Sequence, residues 1–182
     1  MTDQEALAAL LRERSVSLGD FLLSSGQRST YYIDARKTTM SAEGQRLVGR
    51  LGLAAIRTAG WHPAAVGGLT MGADPVAYAI AHASLDVPPV IQAFSVRKST
   101  KQHGTRRRIE GNFAAGDSVV IVEDVITSGG SAGEAIDAVT EAGGRILGVL
   151  AVVDREQGGI EALRGRGFDV VALTTTSELS LR

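Results

Sequence analysis

Apolar segments alternate with amphipathic ones along most of the chain. Runs of apolar residues without polar alternation predict buried strands at 64–69, 89–96, 119–122, 145–153 and 168–173. Helical spacing predicts helices at 4–14, 73–83, 131–142 and 159–164, and one that is capped by Ser41 and ends near Gly60. Strands that alternate with helices indicate an α/β fold, with a mostly parallel twisted sheet flanked by helices.

The first 40 residues follow a different pattern. After the first helix, two runs of alternating apolar residues flank 24–28, SSGQR, which indicates a small hairpin-like hood suited to cover a site. With 182 residues, we expect a single domain over 1–182, in which about 1–40 forms the N-terminal helix and hood.

Composition narrows the class of protein. The formal net charge of -1 argues against a general electrostatic role on nucleic acid or on a membrane surface. No run is long and apolar enough to cross a bilayer, and the N-terminus lacks a signal-peptide layout, so we expect a cytoplasmic enzyme. The absence of cysteine excludes disulfides, thiolate metal sites and a cysteine nucleophile, and three histidines argue against a multi-histidine metal centre.

The segment 119–132, VVIVEDVITSGGSA, carries the strongest chemical signal. Its strand is followed by a hydroxyl-and-glycine loop and a helix, and a helix N-terminus at the carboxyl edge of a parallel sheet suits a phosphate. Glu123 and Asp124 would repel that anion and are better explained as acceptors for sugar hydroxyls. The segment therefore predicts a grip for a ribose 5-phosphate, with an ordinary strand, turn and helix as the alternative. Neither a Walker loop nor the GxGxxG spacing of a dinucleotide site is present.

The segment 96–111, VRKSTKQHGTRRRIEG, is strongly basic. Six of the nineteen Lys and Arg side chains fall between Arg97 and Arg108. Without apolar periodicity, it is predicted to be a mobile loop that closes over a polyanion, or else an ordinary solvated surface loop.

These two motifs carry a family resemblance. The acid pair with its hydroxyl-and-glycine loop resembles the 5-phosphoribosyl 1-diphosphate (PRPP) motif of type I phosphoribosyltransferases. The order Arg-Lys-x-x-Lys-x-His-Gly is similar to the flexible catalytic loop of the orotate phosphoribosyltransferase family, and the similarity extends to SSGQRSTYYID, GGLTMGADP and VVDREQGG. The resemblance implies the type I phosphoribosyltransferase fold and transfer of 5-phosphoribosyl from PRPP to orotate, giving orotidine 5′-monophosphate and pyrophosphate in pyrimidine synthesis. It also implies Mg²⁺ as cofactor and a homodimer in which a flexible catalytic loop, 97–111, reaches the neighbouring site.

The resemblance further implies roles for individual residues. The diphosphate would be contacted by Arg97, Lys98, Lys101 and His103, and by a backbone bend at Thr70, Met71 and Gly72. The ribose hydroxyls would be held by Glu123 and Asp124, and the 5′-phosphate by Val125, Ile126, Thr127, Ser128, Gly129, Gly130 and Ser131. The orotate pocket would contain Arg28, Tyr31, Tyr32, Thr127 and Arg155, whose guanidinium suits a carboxylate. No direct protein ligand for Mg²⁺ is expected, because PRPP and water supply its oxygens.

Catalysis is assigned to four residues by the same resemblance: Lys101, Glu123, Asp124 and His103. Lys101 leads as the group that stabilises charge on departing pyrophosphate, whereas His103 has loop positioning as an alternative role. The chain departs from the family pattern at Glu123, where many relatives have Asp. It also departs at Met71, where many bacterial relatives have a lysine that touches diphosphate.

Two other functions compete with this hypothesis. A purine phosphoribosyltransferase shares the PRPP motif but should lack both the Arg-Lys-x-x-Lys-x-His loop and an arginine matched to a carboxylated base. A PRPP-sensing regulator would keep the fold without catalysis, and would need an added DNA-binding domain or a basic RNA-binding face.

Overall fold

The computed structural model describes residues 1–22, 28–98 and 108–181. Its centre is a six-stranded sheet with the strand order β5-β4-β3-β6-β7-β8, in which only β5 is antiparallel to its neighbour. The strands of this sheet are β3 (Ala65–Leu69), β4 (Gln92–Val96), β5 (Ile109–Gly111), β6 (Ser118–Ile126), β7 (Arg145–Asp154) and β8 (Val170–Thr175). The predicted parallel α/β sheet is confirmed.

Helices cover both faces of the sheet. They are α1 (Asp3–Arg14), α2 (Arg36–Thr39), α3 (Ala42–Thr58), α4 (Ala73–Asp86), α5 (Gly130–Glu141) and α6 (Gly159–Gly165). Alternating side chains of β6 enter two separate cores: Val120 and Val122 pack with α1, α3 and α4, whereas Val119 and Ile121 pack with α5 and α6. Because β6 is buried on both faces, its apolar run lacks the polar alternation of a one-sided strand.

The predicted N-terminal hairpin is also present. β1 (Val16–Leu22) pairs antiparallel with β2 (Arg28–Ile33), with an irregularity between Leu18 and Phe21. Ser41 caps α3 as expected, because its hydroxyl oxygen accepts from the N–H of Gly44 at 3.1 Å.

Several boundaries differ from the sequence predictions. β6 continues through Glu123 and Asp124 to Ile126, because pairing with β7 extends to Asp154 whatever the polarity of the side chains. β4 begins at Gln92 and not at Pro89, because proline has no N–H to donate and the N–H of Ile91 donates to the Ser84 hydroxyl at 2.9 Å. Ile109–Gly111 lies in the predicted basic loop but forms the edge strand β5, and the short helix α2 was not predicted. None of the helices in the described ranges has the length and apolar character needed to cross a membrane.

Candidate active site

A cavity of about 290 Å³ opens at the carboxyl edge of the sheet. Because β3, β6 and β7 are parallel, the residues at and just beyond their carboxyl ends meet there, together with the end of β2 and its turn into α2. The lining residues are Tyr32, Ile33, Asp34, Ala35, Arg36, Leu69, Thr70, Gly72, Lys98, Glu123, Asp124, Val125, Thr127, Ser131 and Arg155. The structure thus brings together segments that are far apart in the sequence.

The two acids of β6 lie side by side in this wall. Glu123 is 6% exposed, and its Oε2 has no hydrogen-bond partner among the described residues. Burial, and secondarily the charge of Asp124, raises the pKa of Glu123 well above its usual range. Burial also raises the pKa of Asp124, whose Oδ1 accepts from the N–H of Val125 at 2.9 Å. The pair therefore holds a poorly solvated carboxyl oxygen that a sugar hydroxyl could partner.

The loop between β6 and α5 has the backbone of an anion cradle. Gly129 has φ 79°, in the left-handed region, and α5 begins at Gly130 without a side-chain cap from the described residues. The first-turn N–H groups of α5 are consequently free of a competing side chain. A Cβ at Gly129 would lie 3.0 Å from the carbonyl oxygen of Gly159, so the loop also needs glycine to pack against α6.

Only part of this loop faces the cavity. Val125, Thr127 and Ser131 line it, whereas the side chain of Ile126 is buried in the core. Residues Ser128, Gly129 and Gly130 line an adjoining pocket of about 400 Å³ beside α6.

Arg155 is the most unusual residue of the site. It is 8% exposed, and neither Nε nor Nη2 finds a hydrogen-bond partner within the described part of the chain. Its Cζ lies 5.2 Å from the centre of the Tyr31 ring, a distance typical of a cation–π contact. A buried guanidinium with unsatisfied donors is costly unless an acceptor reaches it, which makes this end of the cavity suited to an anion.

A second cavity of about 450 Å³ adjoins the first and shares Thr70 and Lys98 with it. Its other lining residues are Ser95, Arg97 and Glu110. Arg97 lies 3.6 Å from a carboxylate oxygen of Glu110, so one cation of this cavity already has an acidic neighbour. The shared residues Thr70 and Lys98 place the two cavities side by side, with Arg155 lining the first and Arg97 the second.

In the predicted bend after β3, Thr70 and Gly72 line the first cavity, whereas Met71 lies on the surface. Thr70 donates its hydroxyl hydrogen to Asp74 at 2.6 Å, and Gly72 lines the first cavity. The Thr70–Met71 peptide bond is cis. Met71 is 58% exposed and lines neither cavity, so its side chain does not take the place of a cation there.

Of three other predicted residues, one lies away from the cavity and two lie outside the described residues. Arg28 lies on the hairpin, pairs with Asp20 at 2.5 Å and is not among the residues that line the cavity, so its role toward orotate stays a prediction. Lys101 and His103 lie outside the described residues.

Sequence reasoning missed Asp34 and Arg36. Both line the cavity, and Nε of Arg36 donates to Oδ1 of Asp34 at 2.8 Å, a contact that raises the pKa of Arg36. Their position two and four residues after the Ser-Thr-Tyr-Tyr run, which was assigned to the pocket, could have indicated them.

Comparison with known proteins agrees with this geometry. Residues 41–165 match the model of the phosphoribosyl transferase domain family. The chain is 44% identical over 182 residues to the orotate phosphoribosyltransferase of Aquifex aeolicus (strain VF5), covering 98% of each chain.

Solved structures give the same result. The Mycobacterium tuberculosis H37Rv orotate phosphoribosyltransferase in complex with Fe(III) dicitrate matches with a TM-score of 0.88 and 43% identity, over 99% of this chain and 100% of that one. The same enzyme in complex with PRPP matches with a TM-score of 0.85 and 39% identity, again over 99% and 100%. The sheet with helices on both faces is the expected type I phosphoribosyltransferase fold. On sequence and structure together, this chain belongs to the orotate phosphoribosyltransferase family.

Proposed function

We propose that this protein transfers the 5-phosphoribosyl group of PRPP to orotate, releasing orotidine 5′-monophosphate and pyrophosphate in pyrimidine biosynthesis. The observation that carries the proposal is a buried Arg155 guanidinium whose Nε and Nη2 have no partner among the described residues; it lines the same cavity as the Glu123–Asp124 pair and Ser131 of the first turn of α5. A carboxylated base satisfies the cation, while a ribose phosphate suits the acids and the helix end.

The residues of PRPP binding follow the two cavities. Glu123 and Asp124 accept hydrogen bonds from the ribose hydroxyls, and the backbone of 125–131 holds the 5′-phosphate. The diphosphate extends toward the second cavity, where Thr70, Lys98 and Arg97 lie. This direction places the leaving group beside the basic loop, 97–111.

Orotate lies at the other end of the first cavity. Its carboxylate pairs with Arg155, and the half-exposed ring of Tyr32 faces the base. A purine lacks a carboxylate and would leave the Arg155 donors unsatisfied, so the site should discriminate strongly against purines.

The chemistry requires two charges to be managed. As the bond from C1 of the ribose to the pyrophosphate oxygen breaks, the bond to N1 of orotate forms and the N1 proton is released to the surrounding buffer. Positive charge develops on the ribose and negative charge on the leaving group. Glu123 and Asp124 stabilise the positive charge on the ribose through its hydroxyls. Lys101 and His103 of the basic loop contact the diphosphate, and Lys101 stabilises the negative charge on the leaving group. Closure of this loop excludes water from the reactive sugar.

Mg²⁺ suits this site as a hard cation held by diphosphate and ribose oxygens with water, where it would neutralise charge on the leaving group. The lining carboxylates, with Glu123 Oε2 unpartnered in the described residues, are compatible with a cation bound on the sugar side. Within the described ranges, no group of three or more His, Cys, Asp or Glu side chains is arranged to hold a metal ion.

We also propose that the chain is a single domain over 1–182, in which about 1–40 forms the N-terminal helix and hood. Two copies of this domain form a homodimer. Met71, Tyr78 and Leu85 recur at seven-residue intervals on and just before α4 and are 58%, 51% and 62% exposed. Exposed apolar side chains on α4 and in the bend before it suit a second copy of the chain. In such a dimer Met71 contributes to the contact between subunits, and 97–111 reaches the neighbouring site.

The function is tested by following orotate absorbance with purified protein, PRPP and Mg²⁺. Adenine, hypoxanthine, guanine and uracil serve as alternative bases in parallel reactions. We expect orotate consumption that requires PRPP and stops when EDTA removes Mg²⁺. Turnover of a purine in place of orotate would indicate a purine phosphoribosyltransferase, and turnover of no base would indicate the regulator.

A further inference from the structure

Glu156, directly after Arg155, has a left-handed backbone. Its φ is 55°, a region that glycine adopts readily and that a residue with a Cβ atom adopts at an energetic cost. Such conformations persist where surrounding contacts hold them, and they cluster at functional sites. The contacts of Glu156 are therefore informative about Arg155.

The Glu156 side chain ties two turns together. Its Oε2 accepts from the Thr176 hydroxyl at 2.8 Å and from the Ser177 N–H at 2.7 Å. Its own N–H donates to Oδ1 of Asp154 at 2.9 Å. Hydrogen bonding to Ser177 and Thr176 lowers the pKa of the Glu156 carboxyl, so this acceptor is an anion at neutral pH.

The same contacts confine the Arg155 backbone. The Arg155 N–H donates to the carbonyl oxygen of Ile126 at 2.9 Å, on the β6 side of the site. On the other side, the Thr176 hydroxyl lies 3.2 Å from the Arg155 carbonyl oxygen. Thr176 is 3% exposed, so this anchor is part of the core rather than a mobile surface group. The backbone at Arg155 is thus held from both sides, whereas within the described part of the chain Nε and Nη2 of its guanidinium have no hydrogen-bond partner.

We propose that Glu156 is a positioning residue: by tying the turn after β7 to Thr176 and Ser177, it holds the Arg155 guanidinium in the cavity for the carboxylate of orotate. This inference rests on the proposed function, because that function assigns Arg155 to orotate. Without the carboxylate, the turn after β7 loses its side-chain hydrogen bonds to Thr176 and Ser177, and the Arg155 side chain is held less firmly in the cavity. PRPP binding depends on other segments and should be unaffected.

The test is steady-state kinetics of the full chain with Glu156→Ala, Glu156→Gly and Glu156→Gln. We expect Ala and Gly to raise KM for orotate about fivefold or more, with KM for PRPP and kcat within about twofold of wild type. Gln keeps an acceptor oxygen for Thr176 and Ser177 and should restore KM for orotate to within about twofold. Gly adopts the left-handed backbone without strain and so serves if the Ala variant does not fold.

Glu161→Ala is the matched control. Glu161 is exposed on α6, and within the described residues its side chain makes no hydrogen bond or ion pair, so its loss removes one acidic charge without touching the turn. Its KM values should equal those of wild type. If the wild-type protein does not consume orotate, both the proposed function and this inference are contradicted. If wild type is active but the Ala and Gly variants keep the wild-type KM for orotate, or raise both KM values equally, only the positioning role is overturned.

Discussion

The Cα of Gly72 faces the carboxylate of Asp124 so closely that a methyl group added there would lie 2.4 Å from Oδ1. Gly72 belongs to the bend after β3, and Asp124 belongs to β6, so this approach joins the two segments to which we assign the diphosphate and the ribose. Glycine is needed at this position because of the space that Asp124 occupies, since the backbone of Gly72 is in the ordinary right-handed region.

We expect Gly72→Ala to displace Asp124 or the bend and to lower kcat/KM for PRPP by about tenfold or more. Pre-steady-state or steady-state kinetics with varied PRPP would measure it. Gly165→Ala is the control, because an added Cβ there has no atom within 4 Å. An unchanged kcat/KM in Gly72→Ala would show that Asp124 can move without loss of function.

Glu123→Gln should change the pH dependence of stability. Because the folded protein raises the pKa of Glu123 above its ordinary value of 4.5, the stability contributed by this group is fully present below that value and is lost as pH rises through the raised pKa. Glutamine does not titrate, so the melting temperature of the variant should rise relative to that of wild type as pH rises from about 5 to 8. Thermal unfolding at several pH values gives this difference, and a constant difference across the range would contradict the raised pKa.

We expect Tyr31 to support orotate binding through the contact of its ring with Arg155. Tyr31→Phe keeps an aromatic face beside Arg155, whereas Tyr31→Leu removes it. Loss of a partly buried cation–π contact of about 1 kcal/mol corresponds to a rise of roughly fivefold in KM for orotate. We expect that rise in the Leu variant and not in the Phe variant. Equal KM values for the two variants would assign the effect, if any, to something other than the ring.

Gly148→Ala tests the packing of Trp61. A Cβ at the buried Gly148 of β7 would lie 2.1 Å from the Trp61 ring, which is 8% exposed. Overpacking of this kind costs about 1–3 kcal/mol, so the melting temperature should fall by roughly 2–10 °C. In a Trp61→Leu background the same change should cost much less, and purely additive losses would refute direct contact as the cause.

Lys101→Ala should separate turnover from binding. If Lys101 stabilises the leaving pyrophosphate, kcat should fall by about 10²-fold or more while orotate affinity, measured by calorimetry, stays within about twofold. Arg50→Ala, which removes an exposed cation of α3 paired with Asp3, should leave both values unchanged. Comparable losses of affinity and turnover in Lys101→Ala would argue against the assigned role.

The type of fold and the chemistry of one edge of the sheet could be predicted from the order of the residues alone. Apolar periodicity is a local property, and it correctly predicted the order of helices and strands, the Ser41 cap and the position of Glu123, Asp124 and the glycine loop at the end of a buried strand. It failed at the end of β6 and at β5, because pairing with a neighbouring strand maintains a strand where the side chains are polar.

Which side chains share the cavity depends on how the folded chain brings distant segments together. The contact of Arg155 with Tyr31, the approach of Gly72 to Asp124 and the turn from Glu156 to Thr176 each join segments that no local pattern connects. Exposure of Met71 and the pairing of Arg28 with Asp20 were likewise beyond motif matching, because a motif identifies residue types and not the direction of their side chains. Burial and charge depend on atoms brought together by folding, so the properties that distinguish Arg155 and Glu123 arise only in the folded chain.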